Sequence, residues 1–170
     1  MTIVQQHDGQ IEVDSKPGQG TCFTIYLPEV ESTSLDRETN DTRALRRGSG
    51  ETVLLVEDDE SVRTAAQAML QQLNYRVVTA HDALCAQEIL AEDHESIDLI
   101  LSDLVMPGFT GLELATLVRA ASYKLCIVIM TGYLTNEIET QLETDVDAWI
   151  QKPIGLETLA ETVADTLSNS

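Results

Sequence analysis

The sequence predicts an α/β domain: five parallel strands in one sheet, wound on both faces by five helices and preceded by a separate β-hairpin. Three observations carry that expectation. From Glu51 onward, short apolar runs alternate five times with longer segments of helical periodicity, the rhythm of strand and crossover helix. The strongest runs, Val53-Leu-Leu-Val and Leu125-Cys-Ile-Val-Ile-Met, are continuously apolar, which suits strands covered on both faces. Residues 9–28 instead alternate with period two around a glycine-bearing turn.

Taken in order, Gly9-Gln-Ile-Glu-Val-Asp-Ser, the turn Lys16-Pro-Gly-Gln-Gly and Thr21-Cys-Phe-Thr-Ile-Tyr-Leu form the hairpin, stopped by Pro28. A two-stranded ribbon of this size is too small to be stable alone in water. Residues 31–50 are polar and nearly free of large apolar side chains, so they are expected to be a flexible linker with a short helical patch around Leu45. Arg43, Arg46 and Arg47 there are either solvated or a basic contact site. The five strands then follow at Val53-Leu-Leu-Val, the weaker Tyr75-Arg-Val-Val, Ile97-Asp-Leu-Ile-Leu, Leu125-Cys-Ile-Val-Ile-Met and Ala148-Trp-Ile. Helices are expected over 61–73, 82–92, 111–121, 135–144 and 155–167. On the first, Val62, Ala65, Ala66, Met69 and Leu73 fall at helical spacing, which makes Met69 a core residue.

Composition narrows the function. At 170 residues and 43% hydrophobic, the chain has length for one domain with a real core plus a remainder, not for a two-domain enzyme. Its 29 acidic against 10 basic residues give a net charge of -19, which opposes nucleic-acid backbones and anionic membrane surfaces. Cys22, Cys85 and Cys126 have no metal-ligand spacing and no partners for a disulfide framework, so a reducing, cytoplasmic setting is expected. No apolar run reaches the roughly 18 to 20 residues that span a bilayer, and residues 1–10 lack signal-peptide character.

The chemistry is expected where the strands end. Glu57 and Asp58 follow the first strand, Asp103 the third and Thr131 the fourth, while Lys152 comes just after the fifth. In an open parallel sheet the carboxyl ends lie along one edge, where ligands bind. Three carboxylates gathered there repel one another unless a cation joins them, and oxygen ligands with room for water suit Mg²⁺. An ammonium and a hydroxyl beside the metal complete a site for a phosphoryl group, with the third strand's carboxylate as nucleophile. Each residue alone also reads as a helix cap or strand end; five in one register favour the site.

The motifs LLVEDDE, LSDLVMPGFTG, VIMTGY and WIQKP, in this order over about 52–167, resemble the receiver domain of two-component response regulators. That resemblance implies a flavodoxin-like sheet of order 2-1-3-4-5 and a phosphoacceptor at Asp103. It further implies Mg²⁺ held by Asp58, by Glu57 mainly through water, by Asp103 and by the carbonyl of Val105. Lys152 would contact phosphoryl oxygens, with a cis Lys152-Pro153 bond, and Thr131 would turn its hydroxyl toward the phosphoryl group. Trp149 stands at the family's aromatic switch position, usually Tyr or Phe, and reads equally as a plain core aromatic. Asp59 and Glu60 are expected to start the first helix. Val105 and Tyr133 occupy places where polar side chains in some relatives position a hydrolytic water, which implies a long-lived phospho-Asp103. The expected partner is a histidine kinase or a histidine phosphotransfer protein.

HDGQIEVDSKPGQGTCFTIYLP is similar to the closing hairpin of histidine-kinase ATPase domains, with Gly18, Gly20 and Thr21 in a Gly-x-Gly-Thr turn. The rest of that domain's ATP site is missing from the sequence, so no ATP binding is expected. The implied organisation is residues 1–30 as the remnant of that domain, 31–50 as linker and 51–170 as the receiver of a hybrid sensor kinase. The hairpin's apolar face (Ile11, Val13, Phe23, Ile25) is expected to be disordered, to pack on the receiver or to pair with another copy in a homodimer. His7 lacks the setting of a phosphodonor, and His81 and His94 read as surface residues.

Two other readings compete with this one. A Mg²⁺-dependent phosphatase with an aspartyl nucleophile would want a second Asp two residues after it, where Val105 stands. A binding-only pseudo-receiver would lack an acid, the threonine or the lysine, and all are present. Catalysis is expected to extend at most to Asp103's own phosphorylation and dephosphorylation.

Overall fold

Continuous apolarity at Val53-Leu-Leu-Val becomes intelligible once the strand is built: successive side chains point to opposite faces, and here both faces are buried. In the computed structural model of the chain, the described residues are 9–16, 18, 20–26, 28, 45–132, 142 and 144–169. The chain divides into two units, residues 1–42 and 43–170.

In the first unit, β1 (Gln10–Lys16) and β2 (Gly20–Tyr26) form an antiparallel ladder from Gln10↔Tyr26 to Lys16↔Gly20. Gly18 (φ +74°) and Gly20 (φ +94°) sit at its turn, in backbone conformations that a Cβ would strain. Ile11 pairs with Ile25 and Val13 with Phe23 on one face, and all four are exposed.

In the second unit the strands are β3 (Thr52–Val56), β4 (Arg76–Ala80), β5 (Leu99–Asp103), β6 (Cys126–Thr131) and β7 (Ala148–Gln151). They are parallel throughout, in the order β4-β3-β5-β6-β7, which is 2-1-3-4-5 counted within the sheet. The helices whose full extent lies among the described residues are α1 (Glu60–Gln72), α2 (Ala83–Asp93), α3 (Gly111–Ala120) and α4 (Leu156–Ser168). Leu54, Val56, Ile100, Ile127 and Ile129 meet Ala86 and Leu90 of α2 and Leu114 and Val118 of α3. On the other face, Val53, Leu55, Leu101 and Val128 meet Ala66 and Leu70 of α1 and Leu159 and Val163 of α4. Each of the Val, Leu and Ile side chains contributes about 1.5–3 kcal/mol on full burial, so the two-sided core fixes the sheet on which the site stands.

Boundaries follow the caps. Asp59 caps α1 by accepting from the Ser61 and Val62 amides, Asp82 caps α2, and Thr110 and Glu113 form a capping box at α3. The apolar seam of α1 runs through Ala66, Met69, Leu70 and Leu73, while Val62 and Ala65, also expected on it, are exposed. The weak second strand lies at Arg76–Ala80, slightly later than its apolar run indicates, and Tyr75 is buried just before it. Of the helix expected over 135–144, only Leu142 and Thr144 are described, both helical; the remainder lies outside the described residues, as do His7, Arg43 and Tyr133.

Residues 45–48, where a short helical patch was expected around Leu45, are not helical, and they bond to the turn after α1 and to α4. The Gly48 amide donates to the Leu73 carbonyl at 2.9 Å, Asn74 Nδ2 donates to the Gly48 carbonyl at 2.7 Å, and Arg46 pairs with Asp165 of α4. Leu45 packs against the α1–α4 core. No helix among the described residues is long and apolar enough to cross a membrane.

Candidate functional site

Because β3, β5, β6 and β7 are neighbours in the sheet, their carboxyl ends present four consecutive positions along one edge. β3 delivers Glu57 and Asp58 just past its last residue, and β5 ends on Asp103. β6 ends on Thr131, and Lys152 follows β7. One carboxylate oxygen each of Glu57, Asp58 and Asp103 lies within 4.8 Å of the others, so the three acids converge as expected.

Lys152 closes the cluster from the far side. Its Nζ donates to Glu57 Oε2 at 2.8 Å and lies 3.0 Å from Asp103 Oδ2. Its main-chain N–H donates to the Thr131 carbonyl at 2.7 Å, tying two of the five residues together through backbone. The Lys152–Pro153 peptide is cis.

Burial sets the electrostatics. Glu57 is 1% exposed, and burial raises its pKa above the ordinary value; Asp103's charge adds to the rise, and Lys152 only partly opposes it. For Lys152, burial alone would lower the pKa, but hydrogen bonds to Glu57 and Asp103 outweigh it and hold the ammonium more firmly protonated. Asp103 is buried and Asp58 exposed, so the cluster opens to solvent on the Asp58 side. Three converging carboxylates against one ammonium leave uncompensated negative charge at a half-open edge, which is the donor set and charge that a hard divalent cation with some retained water requires.

Thr131 is buried at the end of β6, one step beyond the Asp103↔Met130 pair. Trp149 is half-buried and packs against the α2–α3 core. The side chain of Val105 stands out into solvent, 73% exposed, two residues past Asp103.

The sequence reading missed two residues that shape the site. Gly111 begins α3 against β5: a Cβ there would lie 2.3 Å from the Asp103 carbonyl oxygen, so only glycine lets the helix approach the strand that carries Asp103. The glycine of the LSDLVMPGFTG run was the available signal. Arg63 of α1 reaches back to the loop after β3, and its Nη1 donates to the Glu57 carbonyl at 2.6 Å and the Asp58 carbonyl at 3.2 Å. Arg63 stands four residues after Asp59, one helical turn on, and nothing in the sequence distinguishes it from a solvated arginine.

Residues 53–164 match the family model described as the response regulator receiver domain. Among curated proteins, the chain is 32% identical over 173 residues to the sensor kinase CckA of Brucella abortus, covering 97% of this chain and 18% of that protein. It is 30% identical over 177 residues to the sensor histidine kinase RcsC of Escherichia coli, covering 96% of this chain and again 18% of the relative. The chain thus spans under a fifth of the length of these sensor kinases. Among solved structures, the receiver domain of the hybrid histidine kinase CckA matches at TM-score 0.58 and 34% identity, over 68% of this chain and 98% of that one. Vibrio cholerae CheY4 matches at TM-score 0.64 and 30% identity, over 69% and 99%.

Proposed function

The chain belongs to the response regulator receiver family, and from that premise we propose that Asp103 accepts a phosphoryl group from a phosphohistidine on a histidine kinase or histidine phosphotransfer protein. The observation that carries the proposal is the ammonium of Lys152 held within 3.0 Å of Asp103 while three carboxylates converge beside it. In the reaction an Asp103 carboxylate oxygen attacks phosphorus, the P–N bond to the donor imidazole breaks, and the bonding pair returns to that nitrogen. Glu57, Asp58, Asp103 and the carbonyl of Val105 would hold Mg²⁺, which when bound neutralises charge on the phosphoryl oxygens. Lys152 supplies a compact positive charge to those oxygens, and Thr131 a hydroxyl donor. Trp149 is proposed to follow Thr131 as the switch residue.

The matches to sensor kinases support placing this receiver at the C-terminal side of a hybrid sensor kinase, in the cytoplasm. Residues 1–30 would then be the end of its ATPase domain and 31–50 the connection. The test is to incubate the protein with Mg²⁺ and acetyl phosphate and follow intact mass and Trp149 fluorescence. Wild type should gain one phosphoryl group with a fluorescence change, and Asp103→Asn neither. Equal modification of the two proteins would overturn the assignment.

A further inference from the structure

Four consecutive acids, Glu57 to Glu60, run from the end of β3 into the start of α1, and two of them supply carboxylates to the cluster with Asp103. An arginine in such company ordinarily pairs with a carboxylate. Arg63 instead spends its Nη1 on main-chain oxygens, the carbonyls of Glu57 (2.6 Å) and Asp58 (3.2 Å). Its own amide donates to the Asp59 carbonyl at 2.9 Å as the first turn of α1 closes, so the side chain springs from a fixed point and is half-buried. Three successive carbonyls, 57, 58 and 59, are thus held by one residue.

We infer that Arg63 is a positioning residue: by holding the carbonyls of Glu57 and Asp58 it fixes the turn from which both carboxylates meet Asp103, at the spacing a divalent cation requires. The inference rests on the phosphoacceptor reading above, since it assigns Arg63 a part in building that site. A hydrogen bond from a charged donor to a carbonyl is among the stronger ones available to a loop, and outer contacts that orient metal ligands characteristically govern metal affinity.

Two physical effects of removing Arg63 have opposite signs, which makes the idea testable. Taking a positive charge away from near a cation site should by electrostatics alone tighten Mg²⁺ binding. Releasing the turn should weaken it, because the carboxylates must then be ordered at the cost of binding.

The experiment uses the 170-residue chain as wild type, Arg63→Met and Arg63→Lys, with Mg²⁺ alone titrated and amide chemical shifts read. Arg63→Met should bind Mg²⁺ about tenfold more weakly. Arg63→Lys, which keeps a charged donor on a long side chain, should recover part of that loss. At saturating Mg²⁺ the rate of phosphorylation by acetyl phosphate should return close to wild type, so the defect lies in the Mg²⁺ requirement. In metal-free protein, the Asp59 amide, which donates to Glu57 Oε1 at 3.3 Å, should exchange faster in Arg63→Met than in wild type. Unchanged or tighter Mg²⁺ binding by Arg63→Met overturns the inference. If wild type itself binds no Mg²⁺, the phosphoacceptor reading fails, and unchanged Asp59 exchange would then overturn the positioning role as well.

Discussion

Replacing Lys152 with methionine keeps a long apolar stem and removes the ammonium that bridges Glu57 and Asp103. Two contacts are lost, at 2.8 and 3.0 Å, each of a kind worth about 1.5–3 kcal/mol when one partner is charged. The gross loss is therefore about 3–6 kcal/mol. Two features reduce it. The lysine side chain is 24% exposed, so water already shares part of its charge, and Glu57 takes up a proton more readily than an ordinary glutamate because it is buried. A net destabilisation of about 2–3 kcal/mol follows, between the values for exposed and fully buried pairs. For a domain of this size that lowers Tm by about 10 °C. Mg²⁺ should close most of the gap, because a divalent ion among the carboxylates does for them what the ammonium did. The assay is thermal unfolding of wild type and Lys152→Met in EDTA and in saturating Mg²⁺. Equal stability in EDTA, or a gap of the same size in Mg²⁺, would refute the reasoning that the ammonium and the cation answer the same charge.

Glu57→Gln should show a pH-dependent stability difference from wild type in EDTA. The folded-state pKa of Glu57 is raised, so its contribution is fully present below the ordinary value of 4.5 and is lost as pH rises through the folded value. Wild type should therefore lose ground to Glu57→Gln across that window and stay level above it, as measured by urea unfolding from about pH 4 to 8; the opposite trend would refute the burial argument. Val105→Asn places a polar side chain on an exposed position two residues from Asp103, and should shorten the lifetime of phospho-Asp103 as followed by intact mass after removal of acetyl phosphate. An unchanged lifetime would show that position 105 does not govern access of water.

Much of this was legible because strand ends in a parallel sheet are not independent. Once the runs ending at Val56, Asp103, Thr131 and Gln151 are read as neighbouring strands, their terminal residues must share an edge, and Glu57, Asp58, Asp103, Thr131 and Lys152 come together without any side-chain geometry. The starts of α1 and α2 were legible for a local reason, that a short acid ahead of a periodic run can accept its orphan amides, although Asp82 proves to be the cap and not the first helical residue. What the sequence hid depends on chain returning from elsewhere. Residues 45–48 look like linker because they are short and polar, yet they are bonded to the α1–β4 turn, and a Cβ on Gly48 would lie 2.3 Å from the Tyr75 ring. Asp147 likewise reads as a surface acid, but its carboxylate accepts from the Ile127 amide at 2.6 Å and pairs with Arg119 at 2.7 Å. These partners stand 20 and 28 residues before it in the chain and meet it only through the fold.

The metal-free site holds a contradiction that explains its composition. Glu57 is buried where its charge is costly, and among the described residues the cationic side chain that pairs with it is Lys152, which the phosphoacceptor reading also needs at the phosphoryl oxygens. The ammonium cannot fully serve both. On the phosphoacceptor reading, arrival of a cation and a phosphoryl group would free Lys152 from Glu57 at the moment its charge is wanted at Asp103, with no new residue recruited. The Lys152 amide is bonded to the Thr131 carbonyl, so movement of one is felt by the other, and Trp149 sits three residues upstream on β7, paired with Ile129 of β6. A shift of Lys152 thus has a short covalent and hydrogen-bonded route to the aromatic ring. That route predicts that the Trp149 fluorescence change on phosphorylation should be reduced in Lys152→Met even where phosphorylation itself, by intact mass, still occurs.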